Sequence, residues 1–263
     1  MLRPGDEFAG YAVGRALGRG GSATVYLVRR DSESFALKVI AEDAPDALER
    51  LRREFAIARD LRHPHIIAMS DRGPTWLAMQ YIDGGDATVL TSLADKLAAL
   101  TQIAGALDYA HDNGVVHCDV KPSNILIGKG FPRDGAVLVD FGVAHLIGEP
   151  PPPLAGRPTH VKASLPYAAP ELLTGETPSP ATDEYEFACT AVELITGAPP
   201  FRATTPMGLV DAHLHHPPPR VSHQIAWVPR AFDSILAKAM AKRPESRYQT
   251  CTEFAGLIAR VLT

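Results

Sequence analysis

The sequence predicts an α+β chain folded as two lobes. Residues 1–82 should form a small five-stranded antiparallel β lobe with one helix, and residues 83–263 a larger α-helical lobe. Three observations predict this. Residues 11 to 40 alternate apolar and polar side chains between short turns, as in Thr24-Val25-Tyr26-Leu27-Val28, which is the period of a pleated sheet. From Leu93 onward apolar residues recur every three or four positions, the period of an amphipathic helix. Between the two regimes stands Gly84-Gly85, a hinge candidate, and the crevice beside such a hinge is the natural ligand site.

Each element has its own signal. YAVGRALG from Tyr11, ATVYLVRR from Ala23 and FALKVI from Phe35 read as strands, separated by a glycine turn and a turn at Asp31 to Ser34. Leu48, Leu51, Phe55, Ala58 and Leu61 mark a helix from Ala44 to Leu61, which ends before Pro64 because a residue preceding proline is pushed out of helix. IIAMS (66 to 70) and TWLAMQYI (75 to 82) supply two further strands. In the second lobe, Leu97, Leu100, Ile103, Ala104, Leu107 and Ala110 define a long helix over Leu93 to His111. The short apolar strands ILI (125 to 127) and VLVD (137 to 140) flank a polar turn, and helices follow near 183–196, 206–214, 229–241 and 250–262.

Composition narrows the function. With 263 residues, 46% hydrophobic and 21% charged, the chain can bury a core without staples and is not disordered. A formal net charge of -4 argues against a surface that coats nucleic acid. Cys118, Cys189 and Cys251 form no CxxC pair, so neither a zinc site nor a disulfide framework is indicated, and a reducing compartment fits best. The N-terminus lacks a signal-peptide core and no apolar run reaches the roughly 18 residues of a membrane span, so the chain as given is expected to be soluble and cytoplasmic. Prolines cluster at Pro150 to Pro153 and Pro217 to Pro219, where helix and central strand are forbidden. His213, His215 and His216 precede the second cluster without a paired ligand set, and read as ordinary rather than metal-binding histidines.

Four constellations carry chemistry. Gly18-Arg19-Gly20-Gly21-Ser22-Ala23 is a glycine turn between strands, either an ordinary hairpin or a cradle whose amides approach phosphates; a dinucleotide fold would need a helix directly after it. Lys38 lies in an apolar strand, so it is either a solvent-facing edge lysine or an inward ammonium that needs a carboxylate, for which Glu54 is the candidate. His117-Cys118-Asp119-Val120-Lys121-Pro122-Ser123-Asn124 sets polar groups at fixed offsets on one loop. Asp119 can accept a hydroxyl proton, Lys121 can neutralise phosphate charge, and Asn124 can offer an oxygen to a magnesium ion. Asp140-Phe141-Gly142 places a hard carboxylate at the end of a buried strand, suited to the same ion.

In this order and spacing the motifs resemble the signature set of bacterial eukaryotic-like (Hanks-type) Ser/Thr protein kinases, the mycobacterial group in particular, from about Tyr11 to Ala259. The resemblance implies the bilobal protein-kinase fold, with ATP and Mg²⁺ (or Mn²⁺) as cofactors and protein substrates. It implies that Leu17, Gly18, Gly20 and Val25 cover ATP and that Lys38, paired with Glu54, holds its α/β-phosphates. Met79 would be the gatekeeper, Gln80 to Ile82 the adenine hinge, and Asp83 the ribose contact. It further implies that Asp119 and Lys121 are catalytic, that Asn124 and Asp140 hold the metal, and that Thr159, Ser164 and Glu171 belong to the activation segment. Glu171, in Ala169-Pro170-Glu171, should pair with Arg247, and Asp183 should cap the catalytic loop. Relatives of this kind carry a membrane span and sensor in a longer protein and form homodimers through the small lobe.

The chain departs from the pattern in four places. Ala23 stands at the third loop glycine, and Cys118 replaces the arginine that receives an activation-loop phosphate. Only 16 residues separate Lys38 from Glu54, which implies a weakly held helix and an open Lys38–Glu54 pair without ligand. Residues 143–163 contain a single hydroxyl, Thr159. Weak dependence on activation-loop phosphorylation is therefore expected. A pseudokinase-like nucleotide-binding scaffold is the alternative, and a small-molecule phosphotransferase a third reading, disfavoured by Glu171, Asp183 and Arg247.

Overall fold

The structure is a computed structural model that describes residues 2–20, 23–41, 44–150 and 164–263. Thr159 lies outside these residues. Alternation in the first eighty residues produces one antiparallel sheet, in spatial order β1 (Glu7–Phe8), β2 (Tyr11–Arg19), β3 (Ala23–Arg30), β4 (Glu33–Ile40), β6 (Trp76–Gln80), β5 (Met69–Arg72). Successive side chains point to opposite faces. Tyr26, Val28 and Leu37 accordingly join Tyr11, Val13 and Ala78 in a small core on one face. Val25, Ala36 and Ile40 face the other way, into the main core that continues through the large lobe. Lys38 shares the parity of Ala36 and Ile40 and so points inward, toward the main core, which decides the question its sequence left open.

Among the described residues the sheet has six strands where the sequence indicates five. The extra strand β1 pairs Glu7 with Ala12 and Phe8 with Tyr11. Two residues are too few to show a period, and the strand is held instead by Phe8 packing edge-on to Trp76 at 6.4 Å. The expected strand IIAMS is displaced to β5 because Ile67 N donates to Leu138 O at 3.0 Å and Ile66 bridges the same residue, tying this stretch to the large lobe. Strand β6 likewise ends at Gln80, short of Ile82.

Helix α1 spans Pro45–Ala58, beginning with proline in its first turn, where the missing N–H costs nothing. Its buried stripe is Ala47, Leu51, Glu54, Ile57 and Ala58, a rotation away from the Leu48 and Phe55 face that apolar spacing favours. A carboxylate occupies a core position on that stripe. The large lobe contains α2 (Leu93–Asp112), the hairpin β8 (Ile125–Ile127) and β9 (Ala136–Leu138), α3 (Pro170–Thr174), α4 (Pro180–Thr196), α5 (Pro206–His215), α6 (Arg230–Ala239) and α7 (Cys251–Leu262). A further two-stranded pair joins β7 (Val115–Val116) to β10 (His145–Leu146). All six apolar positions that define α2 in the sequence are buried. Helix α3 carries too few residues to show a helical period and has no counterpart in the sequence reading. His213 is buried with its Nδ1 at 3.0 Å from Tyr185 Oη, and burial lowers its pKa to about 4, while His216 pairs with Asp211.

The lobes are joined at the glycine pair. Gly84 N donates to Ile127 O at 2.9 Å, and Ile127 N donates to Gly85 O at 2.8 Å. A Cβ on residue 84 would lie 2.3 Å from Ile127 O, and Gly85 has φ 96°, so each position needs glycine for its own reason. Gly84→Ala is expected to cost about 1–3 kcal/mol, read as a lowered denaturation midpoint. An unchanged midpoint would show that the hinge backbone yields freely.

Candidate active site

Register places the first group of candidates. Val25 pairs with Lys38 across β3–β4, Gly18 pairs with Val25 across β2–β3, and Ala36 pairs with Met79 across β4–β6. Leu17, Val25 and Ile82 are half-buried against the main core, and Met79 is buried. The glycine turn closes through Gly20 N donating to Ala23 O at 2.8 Å, and a Cβ at Gly18 would meet nothing within 4 Å, so the space beside the loop is open. Gln80 and Asp83 are exposed at the hinge, and Asp83 Oδ1 accepts from Lys129 N at 3.0 Å.

Lys38 is the centre of the second group. Its Nζ donates to Glu54 Oε2 at 2.7 Å and to Asp140 Oδ1 at 3.1 Å, with the Lys38 side chain 18% exposed and that of Glu54 2%. Where the short linker implies a loosely held pair, the structure has it closed. The reason is electrostatic, since an unpartnered ammonium or carboxylate at these depths is strongly disfavoured. Burial alone would lower the Lys38 pKa, but the Asp140 and Glu54 carboxylates outweigh it and hold the ammonium protonated. Burial pushes Glu54 up to about 7 against the pull of Lys38. Asp140 is also penalised by burial, yet Lys38, followed by His117 and Lys121, keeps it below the usual carboxylate range.

The β8–β9 hairpin brings the third group together. Ile125 pairs with Leu138, so Asn124 and Asp140 emerge at the same end, joined by Val139 N donating to Asn124 O at 2.9 Å. Asn124 Nδ2 donates to Asp119 Oδ2 and to Asp119 O, both at 2.9 Å, which leaves its amide oxygen for another partner. Lys121 Nζ donates to Asp119 at 2.7 and 3.0 Å and to Ser164 Oγ at 2.9 Å, and the Ser164 hydroxyl donates to Asp119 Oδ1. The His117 ring packs edge-on to Phe141 at 4.7 Å, accepts from Asp119 N on Nδ1 at 3.2 Å and reaches Val139 O from Nε2 at 3.0 Å. Those two bonds require the tautomer with its proton on Nε2. His117 thereby joins the loop bearing Asp119 to the turn bearing Asp140.

The loop itself is pinned from below by one face of α4. Asp183 Oδ2 accepts from His117 N and Oδ1 from Cys118 N, each at 2.7 Å, and His111 Nε2 donates to Oδ2 at 2.7 Å. Glu186 Oε2 accepts from Val120 N at 2.8 Å, and Thr190 Oγ1 donates to Val120 O at 3.0 Å. Positions 183, 186 and 190 fall at i, i+3 and i+7, a single helical face. Burial, then Asp183 and Asp119, push the Glu186 carboxyl well above its ordinary range. Cys118 has φ 62°, a left-handed backbone that the Asp183 bond holds in place. Sequence reasoning identified Asp183 but missed Glu186 and Thr190; polar residues at this spacing in an otherwise apolar helix were the available signal.

Glu171 and Arg247 form a buried pair beside the first turn of α4, with Thr182 Oγ1 donating to Glu171 Oε1 at 2.8 Å. The guanidinium, 2% exposed, donates a two-pronged fork to Glu171 at 2.7 and 2.9 Å and further bonds to Ala241 O and Ala181 O. Arg247→Ala would leave Glu171 buried and unpaired, and is expected to cost about 3–5 kcal/mol in chemical denaturation. A loss below about 1 kcal/mol, the scale of an exposed pair, would contradict it.

Residues 11–256 match the family described as protein kinase domain. Serine/threonine-protein kinase PknJ of Mycobacterium tuberculosis is 39% identical over 278 residues, which cover 99% of this chain and 47% of that protein. PknF of the same organism is 38% identical over 281 residues, covering 99% and 58%. The chain thus spans about half the length of these curated relatives. The crystal structure of the Mycobacterium tuberculosis PknI kinase domain superposes with a TM-score of 0.74 at 33% identity, covering 99% of this chain and 98% of that one.

Proposed function

The chain belongs to the protein kinase family, and on that premise we propose that it transfers the γ-phosphoryl group of ATP to serine or threonine hydroxyls of protein substrates in signalling. The observation that carries this reading is the linked cluster of Asp119, Lys121, Asn124 and Ser164 beside the Lys38–Glu54–Asp140 triad. Asp119, already an acceptor for Lys121 and Ser164, takes the proton of the attacking hydroxyl as its oxygen bonds to phosphorus and the bond to the leaving ADP oxygen breaks. Lys121 faces the charge that develops on the transferred group. Lys38 holds the α/β-phosphates in an orientation set by Glu54, and Gly18, where a Cβ would meet nothing within 4 Å, borders the open space beside the loop.

Leu17, Val25, Met79 and Ile82 supply apolar walls for adenine, the backbone of Gln80 to Ile82 its hinge contacts, and Asp83 Oδ2 a ribose contact, since Oδ1 serves Lys129. Oxygens of Asn124 and Asp140 form a hard donor set that fits Mg²⁺ or Mn²⁺, and these two residues would hold the ion. When bound, it neutralises charge on the triphosphate. Substrate engagement rests on the platform of Ser164 and Glu171.

Weak dependence on activation-loop phosphorylation is part of the same proposal, supported by the uncharged Cys118. Cytoplasmic placement and pairing through the small lobe rest on resemblance. Among the described residues no helix is long and apolar enough to cross a membrane.

Incubation with labelled ATP, Mg²⁺ and a test protein is expected to give labelled protein. Asp119→Asn and Asp140→Asn should each reduce it at least about 100-fold, while Thr159→Ala stays within about threefold. A Thr159→Ala loss as large as that of Asp119→Asn would overturn the phosphorylation-independent part. Nucleotide binding without transfer would favour the scaffold reading.

A pH dependence follows from Glu54. Its folded pKa of about 7 lies above the ordinary value of 4.5. The fold therefore prefers the protonated acid, and this contribution to stability is lost as pH rises from 4.5 through 7. The ion pair with Lys38 forms over the same interval. The transfer rate should rise through about pH 7 on a limb that Glu54→Gln abolishes; a limb that persists in Glu54→Gln would contradict the assignment.

A further inference from the structure

Arg53 immediately precedes Glu54 on α1, and one helical step of about 100° turns its side chain onto a neighbouring face. It reaches the segment that follows Asp140-Phe141-Gly142. Arg53 Nε donates to Ala144 O at 3.0 Å, and its Nη2 forms an ion pair with Glu149 Oε2. Helix α1 packs more extensively on the turn 141–143 than on any strand, and Ala144 directly follows that turn.

The far end of this clamp is itself anchored. Glu149 N donates to Leu146 O at 3.0 Å, and Ile147 N donates to Gly114 O at 2.8 Å. Strand β10 pairs His145 with Val116 and Leu146 with Val115, directly before the loop that carries His117 and Asp119. A continuous path therefore runs from Glu54 through Arg53 to Ala144 and Glu149, along β10 to β7, and on to Asp119. The Arg53 and Glu149 side chains are 36% and 37% exposed, so water screens the ion pair, and the bond to the Ala144 carbonyl supplies the second point of attachment. Arg53 holds the Glu149 carboxyl below the usual range, with His145 contributing in the same direction.

We propose that Arg53 is a positioning residue, which clamps Ala144 and Glu149 and so keeps α1 and Glu54 in place through a carboxylate built into the chain rather than an added phosphate. Its effect on rate rests on the kinase reading above. Its effect on α1 does not.

The test uses the whole chain with Arg53→Glu, Glu149→Arg and the double exchange, reading kcat for phosphate transfer and amide hydrogen exchange over residues 45–58. Each single variant should lower kcat by roughly 10-fold and speed exchange in α1. The double variant should recover to within about threefold of wild type, short of full rescue because a glutamate at 53 cannot donate to Ala144 O. Glu149→Gln, which keeps the side-chain shape, serves if a charge-reversed single variant does not fold; it should lose about threefold. Single variants with wild-type rate and exchange would overturn the proposal, as would a double variant no better than the worse single. Should the wild-type chain transfer no phosphate, the kinase reading fails, and the exchange data alone decide whether Arg53 clamps α1.

Discussion

One ammonium group, Lys38 Nζ, is shared by two carboxylates that come from distant parts of the chain: Glu54 on α1 and Asp140 after β9. Glu54 and Lys38 are buried deeply enough that either left alone would meet a severe desolvation penalty, and the more exposed Asp140 adds a second acceptor for the same ammonium. The sheet contributes the lysine, the helix contributes one acid, and the large lobe contributes the other. Together with the apolar core that runs through both lobes, the triad sets their relation at the place where chemistry is proposed. Its members also disagree usefully in their protonation. Lys38 is held charged and Asp140 ionised, while burial raises the Glu54 carboxyl against the pull of Lys38.

The second supporting layer is an unusual concentration of buried polar groups on α4. Asp183, Glu186 and Thr190 each satisfy backbone atoms of residues 117–120, a loop that would otherwise carry unpaired amides and carbonyls into the core. Burying two acids so close together is costly, and the raised Glu186 pKa is the physical signature of that cost. What it secures is a fixed backbone beneath Asp119 and a left-handed Cys118. The Arg53 clamp adds a third, more exposed connection on the opposite side of the triad. The three layers lie in series, from helix α1 through the reacting groups to the helical base.

Much of this was legible in the sequence because it rests on short-range signals. Alternation located the strands from Tyr11 to Ile40, periodicity located α2 with its six core positions, and motif order singled out Asp119, Asn124 and Asp140. What escaped was set by long-range partners. The stripe of α1 includes Glu54, while Leu48 and Phe55 stand only half-buried beside it, because Lys38 Nζ gives the carboxylate a partner at that depth. Ile66 and Ile67 leave the sheet to bridge Leu138, and β1 has too few residues for any period to register. The short linker before α1 suggested a loose helix, yet the buried charges close it. Electrostatic partners far apart in the chain override local pattern, and no spacing rule reports them.

The central claim is that the ammonium of Lys38, shared between Glu54 and Asp140, fixes α1 against the turn 141–143. A crystal structure of the unphosphorylated chain, free of ligand, tests it most directly. Lys38 Nζ is predicted within hydrogen-bonding distance of both Glu54 and Asp140, with α1 against the turn 141–143. A helix rotated outward, with Glu54 facing solvent and Lys38 bound to Asp140 alone, would contradict it.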